Sequence, residues 1–360
     1  MNKKRTIFLT GATGLIASYL LKLLLENGNK VYALARGKKD QSAKDRVIDM
    51  LKFWQADISP DLFKNLTVVE GDITYSDLVK LDAKDILNKL YNEIEIIFHS
   101  AALAELKVLY EKIKKINVDG TRNVLDFALK CKKLKKVNHI STAYVVGDKN
   151  GIEFSEDMLD VGQGFHNTYE QTKFEAEVLC HEYIDNKGLN ISIFRPSMVM
   201  GDSIEGKTNN FRLFYEPLHF FSKEIYEAFP VNPNYTQNLI NNDVVGKAIF
   251  ALGEIENIAV YHIVSPNHIT MQFFMQTAAE HFGYKLPKLI PIEKFNFNQW
   301  TASQKLLAEP FIPYFNFNTK FLSKKTGEIF NKVKLKLPEI KKESLIKIFN
   351  FCNKADFIKN

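Results

Sequence analysis

With 360 residues, 46% of them hydrophobic and 25% charged, and only 17 glycines and 11 prolines, the chain excludes disordered, low-complexity and fibrous classes and is long enough for a large core in one or two domains. Its net charge of +6 is local: from Phe321 to Asn360 ten lysines face four acids, and the remainder is neutral. Three cysteines (Cys131, Cys180, Cys352) without a CxxC pair or a Cys/His cluster exclude a disulfide framework and a zinc site and point to a reducing, cytoplasmic location.

Met1-Asn2-Lys3-Lys4 followed by the apolar stretch Ile7 to Leu25 imitates a secretory signal, but Thr10-Gly11-Ala12-Thr13-Gly14 and Lys22 interrupt it, so no signal peptide is expected. No window approaches the ~20 apolar residues of a membrane span. Thr6 to Leu9 reads as a buried strand, Leu15, Leu20, Leu23 and Leu24 have helical spacing, and Lys30 to Ala35 is a second strand. Apolar runs recur at Leu66 to Val69, Ile94 to Phe98, Val137 to Ile140 and Ile191 to Phe194, with helical or loop sequence between them. Such alternation specifies an α/β fold, a doubly wound parallel sheet of the Rossmann type. After Gly201 the regularity weakens, and a return to the sheet is expected within Leu239 to Ile263. Residues 1–200 and 236–264 are therefore assigned to the Rossmann domain, and 201–235 with 265–360 to a smaller, mostly helical lobe.

Gly11-Ala12-Thr13-Gly14-Leu15-Ile16-Ala17 lies between the first strand and the first helix, where the turn must be tight and the backbone must approach a pyrophosphate closely. The end of the second strand selects the cofactor. An acid there would hold a ribose 2′-hydroxyl, whereas Arg36-Gly37-Lys38-Lys39 suits a 2′-phosphate, so NADPH is expected, with Arg36 and Lys38 as its contacts.

Tyr169-Glu170-Gln171-Thr172-Lys173 places a phenol and an ammonium four residues apart in helical sequence, on one face about one turn apart. A tyrosine of pKa ~10 is a poor proton shuttle near pH 7. Closing that gap needs about 4 kcal/mol, part of which a neighbouring lysine supplies, so Tyr169 and Lys173 are the acid–base candidates. His181-Glu182 lacks a second histidine four positions on, and the eight histidines show no ligand spacing, so no metal is expected. Cys131 and Cys180 fall in helical sequence and read as buried structural thiols rather than nucleophiles.

Seven motifs follow in order: Thr10 to Gly14, Gly71-Asp72-Ile73, His99-Ser100-Ala101-Ala102, Asn117-Val118-Asp119-Gly120-Thr121, His139 to Val145, Tyr169 to Lys173, and Arg195-Pro196-Ser197 through Gly201-Asp202-Ser203. In these the chain resembles the extended short-chain dehydrogenase/reductases, in the branch of fatty acyl-CoA reductases and terminal thioester-reductase domains. The resemblance covers residues 6–206, and Asn238 to Val264 is similar to a later sheet-return segment. It implies that Thr142 hydrogen-bonds the reacting carbonyl, Tyr169 donates the proton and Lys173 supports it. It also implies cofactor contacts from Asp72 and Ile73 at the adenine, from Ala101 and Ala102 near the pyrophosphate and ribose, and from Pro196, Ser197 and Met198 at the nicotinamide. Asn117 is implied beneath the site, and helix packing or capping is the other reading of Asn117 and Thr121. Ala17 in place of glycine and Ser100 in place of alanine are departures from the pattern.

The expected function is NADPH-dependent reduction of an acyl thioester, on CoA or an acyl carrier protein, to aldehyde and onward to alcohol. A secondary-alcohol dehydrogenase or sugar-nucleotide epimerase of the same superfamily is the alternative, and a non-catalytic NADP-binding scaffold is a third reading. Phe211, Phe214, Tyr215, Phe220, Phe221, Phe295, Phe297, Trp300, Phe311, Tyr314 and Phe315 fit either plain core or the wall of a long apolar channel; a sugar nucleotide would ask for more polar contacts. No groove-reading motif accompanies the basic end, which excludes nucleic acid as a partner. Lys334, Lys336, Lys341 and Lys342 are read as steering a phosphate-bearing thioester to the pocket mouth, against a solvated surface or a peripheral membrane contact.

Overall fold

The computed structural model describes all residues except 1–3, 56–58, 81–83, 256–257 and 359–360. Lys359 of the basic end and the start of the signal-like stretch therefore lie outside the described residues. Seven strands form the central sheet: β1 (Thr6–Thr10), β2 (Lys30–Ala35), β3 (Leu66–Glu70), β4 (Ile96–His99), β5 (Lys136–Ile140), β6 (Ile191–Pro196) and β7 (Val260–Ile263). Their order is β7-β6-β5-β4-β1-β2-β3, and every pairing is parallel. Apolar runs without alternation produce this because both faces of the sheet are covered: β5 and β6 are buried throughout.

The covering helices are α1 (Leu15–Glu26), α2 (Ala43–Trp54), α3 (Gly120–Lys130), α4 (Thr168–Lys187), α5 (Tyr215–Ser222), α6 (Asn242–Gly253), α7 (Met271–Phe282) and α8 (Lys342–Lys354). On one face Leu20, Leu21 and Leu24 of α1 pack with Val245, Ile249 and Leu252 of α6; on the other, Val124, Leu125 and Phe127 of α3 meet Leu179 and Cys180 of α4. Helices α1 and α6 approach so closely at Gly246 that a Cβ there would stand 2.8 Å from the Tyr19 ring.

A third apolar cluster builds the lobe from α5, α7 and α8, and it takes in Phe229, Trp300, Phe311 and Phe315. Short strand pairs such as Ala228–Pro230 with Lys288–Ile290 brace it. The segment Lys324–Lys332 leaves this lobe to place Phe330 in the cluster beside α1 and α6. Among the described residues no helix is long and apolar enough to cross a membrane. All three cysteines are buried and unbridged, and burial pushes the Cys131 thiol up to about 12.

Candidate active site

The direction in which successive strands are added to the sheet reverses between β1 and β4, and there the loops after these two parallel strands part at their carboxyl ends. This is where a doubly wound sheet offers a crevice. The turn after β1 is built for close approach: Gly11 has φ +74°, and a Cβ on it would lie 2.7 Å from the Ala101 backbone nitrogen. Helix α1 starts at Leu15 with no side-chain cap and no acid in its first turn, so its leading N–H groups face the crevice available to an anion. Beneath the turn, Thr10 Oγ1 and His99 Nδ1 are 2.8 Å apart, and His99 Nε2 lies 3.0 Å from Thr121 Oγ1. Burial, with Lys173 nearby, lowers His99 to about 3, so this brace is neutral.

The catalytic candidates converge from two elements. Thr142 follows β5 and caps the turn Ala143–Val146 by accepting from Tyr144 N at 3.2 Å. Tyr169 sits in the first turn of α4, whose cap Asn167 accepts from Glu170 N, and Lys173 lies one turn on. All three line one cavity. Lys173 Nζ donates to the Ile140 carbonyl at 2.8 Å and lies 3.4 Å from His139 Nε2. Burial lowers Lys173 to about 8, against the opposing charge of Glu177. The expected lowering of Tyr169 by that lysine is reversed: burial, then the Glu170 charge, push the phenol up to about 12, with the Thr142 hydroxyl opposing. Desolvation of the phenolate in this buried position is the largest contribution.

One turn beyond Lys173, Glu177 forms a buried ion pair with Arg195 of β6, at 2.7 Å to Nη2 and 3.0 Å to Nε, and accepts from the Ser141 hydroxyl. Three elements are thereby locked around Thr142, Tyr169 and Lys173. Sequence reasoning missed Glu177, although its spacing of four from Lys173 puts it on the same helical face.

A family model described as male sterility protein, an NAD-binding family, matches residues 9–249. The chain belongs to this family. Its members are NAD(P)-dependent oxidoreductases of the extended short-chain type. The chain is 26% identical over 349 residues to fatty acyl-CoA reductase 1 of Arabidopsis thaliana, covering 78% of this chain and 70% of that protein. It is 32% identical over 212 residues to a carboxylic acid reductase of Segniliparus rugosus, covering 54% of this chain and 18% of that protein. Among solved structures, the terminal R domain from the myxalamid PKS-NRPS biosynthetic pathway superposes with a TM-score of 0.84 at 24% identity, over 100% of this chain and 93% of that one; this likeness is one of fold.

Within this family member the cavity wall contains Gly14, Leu15, Ile16, Ala102, Thr142, Tyr169, Lys173, Pro196, Ser197 and Met198 of the expected set. Gly11, Thr13 and Ala101 are not part of the wall, and Arg36, Lys38, Asp72 and Ile73 follow the carboxyl ends of β2 and β3. Asn117 does not line the cavity. It is buried in a π turn, Lys115–Asp119, between Tyr110–Lys114 and α3, with its amide joined to both backbone groups of Leu103 and to Thr172 Oγ1. The wider helical turn points the amide at the loop after β4, so it shapes the cavity wall from behind.

At the nucleotide's outer end Arg36 pairs with Asp72 at 3.3 Å, an acid the linear sequence places far from β2. Arg46 of α2 was not foreseen. It donates to the Arg36 carbonyl and reaches Thr13 Oγ1 at 3.3 Å. Burial and the neighbouring Arg36 charge lower its pKa. The Arg46 guanidinium thus lies beside Thr13 and near that of Arg36, which is itself paired with Asp72.

The aromatic segments divide. Phe214, Tyr215, Phe311, Tyr314 and Phe315 line the cavity, whereas Phe221, Phe295 and Trp300 are core and Phe211 stacks on Phe357 at 4.6 Å. None of Lys334, Lys336, Lys341 and Lys342 lines the cavity; Lys342 pairs with Glu280 at 2.7 Å and Lys341 with Glu339 at 3.7 Å.

Proposed function

We propose that this protein reduces an acyl thioester, carried on CoA or an acyl carrier protein, to the aldehyde and onward to the alcohol, with NADPH as reductant. One observation carries the reading: the hydroxyls of Thr142 and Tyr169 open into a cavity of about 400 Å³ whose lobe wall is apolar, formed by Phe214, Leu239, Met271, Phe274 and Phe315. The named reductases to which the chain is similar act on acyl-CoA or on carboxylic acids.

Gly14 to Ile16, Ser197 and Lys173 would hold the reactive half of the cofactor, and Thr13, Arg36 and Arg46 its adenosine phosphate; the second guanidinium is what supports NADPH over NADH. When bound, the reduced nicotinamide is the source of hydride for the carbonyl carbon. The Thr142 and Tyr169 hydroxyls donate to the carbonyl oxygen as it gains negative charge. A phenol near 12 keeps its proton at neutral pH, so Tyr169 is a permanent donor, and the Lys173 ammonium adds positive charge to the same cavity. The carbon–sulfur bond then breaks as the carbonyl re-forms, the sulfur leaves as a thiolate and takes a proton from solvent, and the aldehyde remains. Repetition on the aldehyde gives the alcohol, with Tyr169 giving its proton to the alkoxide.

NADPH consumption across acyl-CoAs, carrier-bound acyl groups, aldehydes and secondary alcohols, with products identified, tests the reading. Thioester-dependent oxidation with release of free thiol is expected; turnover of secondary alcohols alone would overturn it.

A further inference from the structure

Arg195 of β6 and His262 of β7 are register partners in the sheet, and with Glu177 of α4 they form a fully buried polar row. Its hydrogen bonds have one consistent direction. The Leu322 carbonyl can only accept, so His262 Nδ1 carries the proton and donates to it at 2.7 Å, and Nε2 is left as the acceptor facing Arg195 Nη1 at 3.3 Å. Burial, with the Arg195 charge, lowers His262 to about 3 and keeps the ring neutral. Arg195 Nη1 also donates to the Met158 carbonyl at 2.8 Å, while Nε and Nη2 hold the Glu177 carboxylate. Phe154 lies against the guanidinium at 5.2 Å and the imidazole at 5.5 Å. The row ends at Ser141, whose hydroxyl donates to Glu177 Oε1. Replacing such a buried pair by apolar residues of similar volume is often neutral or stabilising, so stability alone does not account for it. Its placement does: Ser141 precedes Thr142, and Glu177 lies one turn beyond Lys173.

We infer that Glu177 is a positioning residue for the reduction: clamped by Arg195, its carboxylate holds the Ser141 hydroxyl and so fixes the backbone that presents Thr142, and it is the anion set one helical turn behind the Lys173 ammonium. Glu177 itself does not line the cavity, so it acts through these neighbours, whose roles are those of the carbonyl-reduction reading above. Ser141 is held at two points, by its N–H to the Phe194 carbonyl of β6 at 2.7 Å and by its hydroxyl to α4. With the second hold removed, Thr142 is free to drift, and a misplacement of about 1 Å near the reacting atoms can cost about a hundredfold in rate. Lys173 faces His139 of β5, His99 of β4, and Tyr169, Glu177 and Cys180 of its own helix. Burial keeps both histidines neutral and pushes the phenol and the thiol up, so these four carry no charge at neutral pH. Among these neighbours the opposing charge comes from Glu177.

The test is steady-state kinetics of the wild type, Ser141→Ala and Glu177→Gln across pH, with NADP affinity by calorimetry. Ser141→Ala keeps the ion pair and therefore the fold. It is expected to lower kcat about tenfold, with the affinity for NADP within about twofold of wild type and the pH profile in place. Glu177→Gln removes the anion as well. Because the Glu177 charge raises Lys173 against burial, its loss lets the ammonium deprotonate earlier, and the alkaline limb of kcat moves to lower pH from its wild-type position near about 8. A wild-type kcat in Ser141→Ala overturns the inference, and so does a Glu177→Gln profile that falls in amplitude without moving. If Glu177→Gln fails to fold, kcat in Ser141→Ala decides. Rates are taken on an acyl-CoA and on an aldehyde: a wild type that reduces only the aldehyde overturns the thioester reading, while the comparison of the three proteins on that aldehyde still decides the role of Glu177.

Discussion

The Tyr314 hydroxyl donates to Glu170 Oε1 at 2.6 Å, and Asn167 Nδ2 donates to that same hydroxyl at 2.7 Å, so the lobe is bolted to the first turn of α4 beside Tyr169. Glu170 is fully buried, and its other oxygen accepts from His166 N and faces His166 Nδ1, both at 3.0 Å. Removing the phenol hydroxyl leaves the carboxylate with one donor fewer in a site that water does not reach. Tyr314→Phe is expected to lose about 1–3 kcal/mol of stability, read by chemical denaturation. Unchanged stability would show that the contact is incidental.

Tyr169→Phe and Lys173→Ala should each lower turnover by about two orders of magnitude or more with the fold intact by circular dichroism. Thr142→Ala should be milder, because Tyr169 still donates to the oxyanion. Full turnover in Tyr169→Phe would falsify the assigned mechanism.

In the proposed NADPH site Arg46, which reaches Thr13, is a second guanidinium beside Arg36. NADPH should bind at least about tenfold more tightly than NADH, about 1.4 kcal/mol, and Arg46→Ala should erode that preference as Arg36→Ala does. Calorimetric titration of the three proteins with both cofactors checks this. If Arg46→Ala retains the whole preference while Arg36→Ala loses it, Arg46 has no part in the selection.

His99 provides a pH signature. Its folded pKa is lowered from 6.5 to about 3, so between those values the unfolded chain binds a proton that the folded chain does not. Stability is therefore undiminished above 6.5 and falls as pH drops below it. His99→Gln, which keeps a side chain able to bridge Thr10 and Thr121, should show a shallower fall in melting temperature from about pH 7 to about pH 5 than the wild type. Parallel curves would mean that His99 does not stay neutral in the fold.

Strand positions, the turn at Gly11 and the pair Tyr169 and Lys173 were legible in the linear sequence because each is a local rule, whereas Thr142 was implied only by the family resemblance. A buried parallel strand reads as an apolar run, a tight turn demands glycine, and a four-residue spacing in a helix fixes a common face. Only the folded chain decided the rest. Arg46 joins Arg36, Tyr314 joins Glu170, Glu177 joins Arg195, and His262 joins Leu322, each across a separation that no periodicity spans. The direction of the Tyr169 shift belongs to the same class. Neighbouring charge is visible in a motif, whereas the burial that dominates this shift is a property of everything packed around the residue.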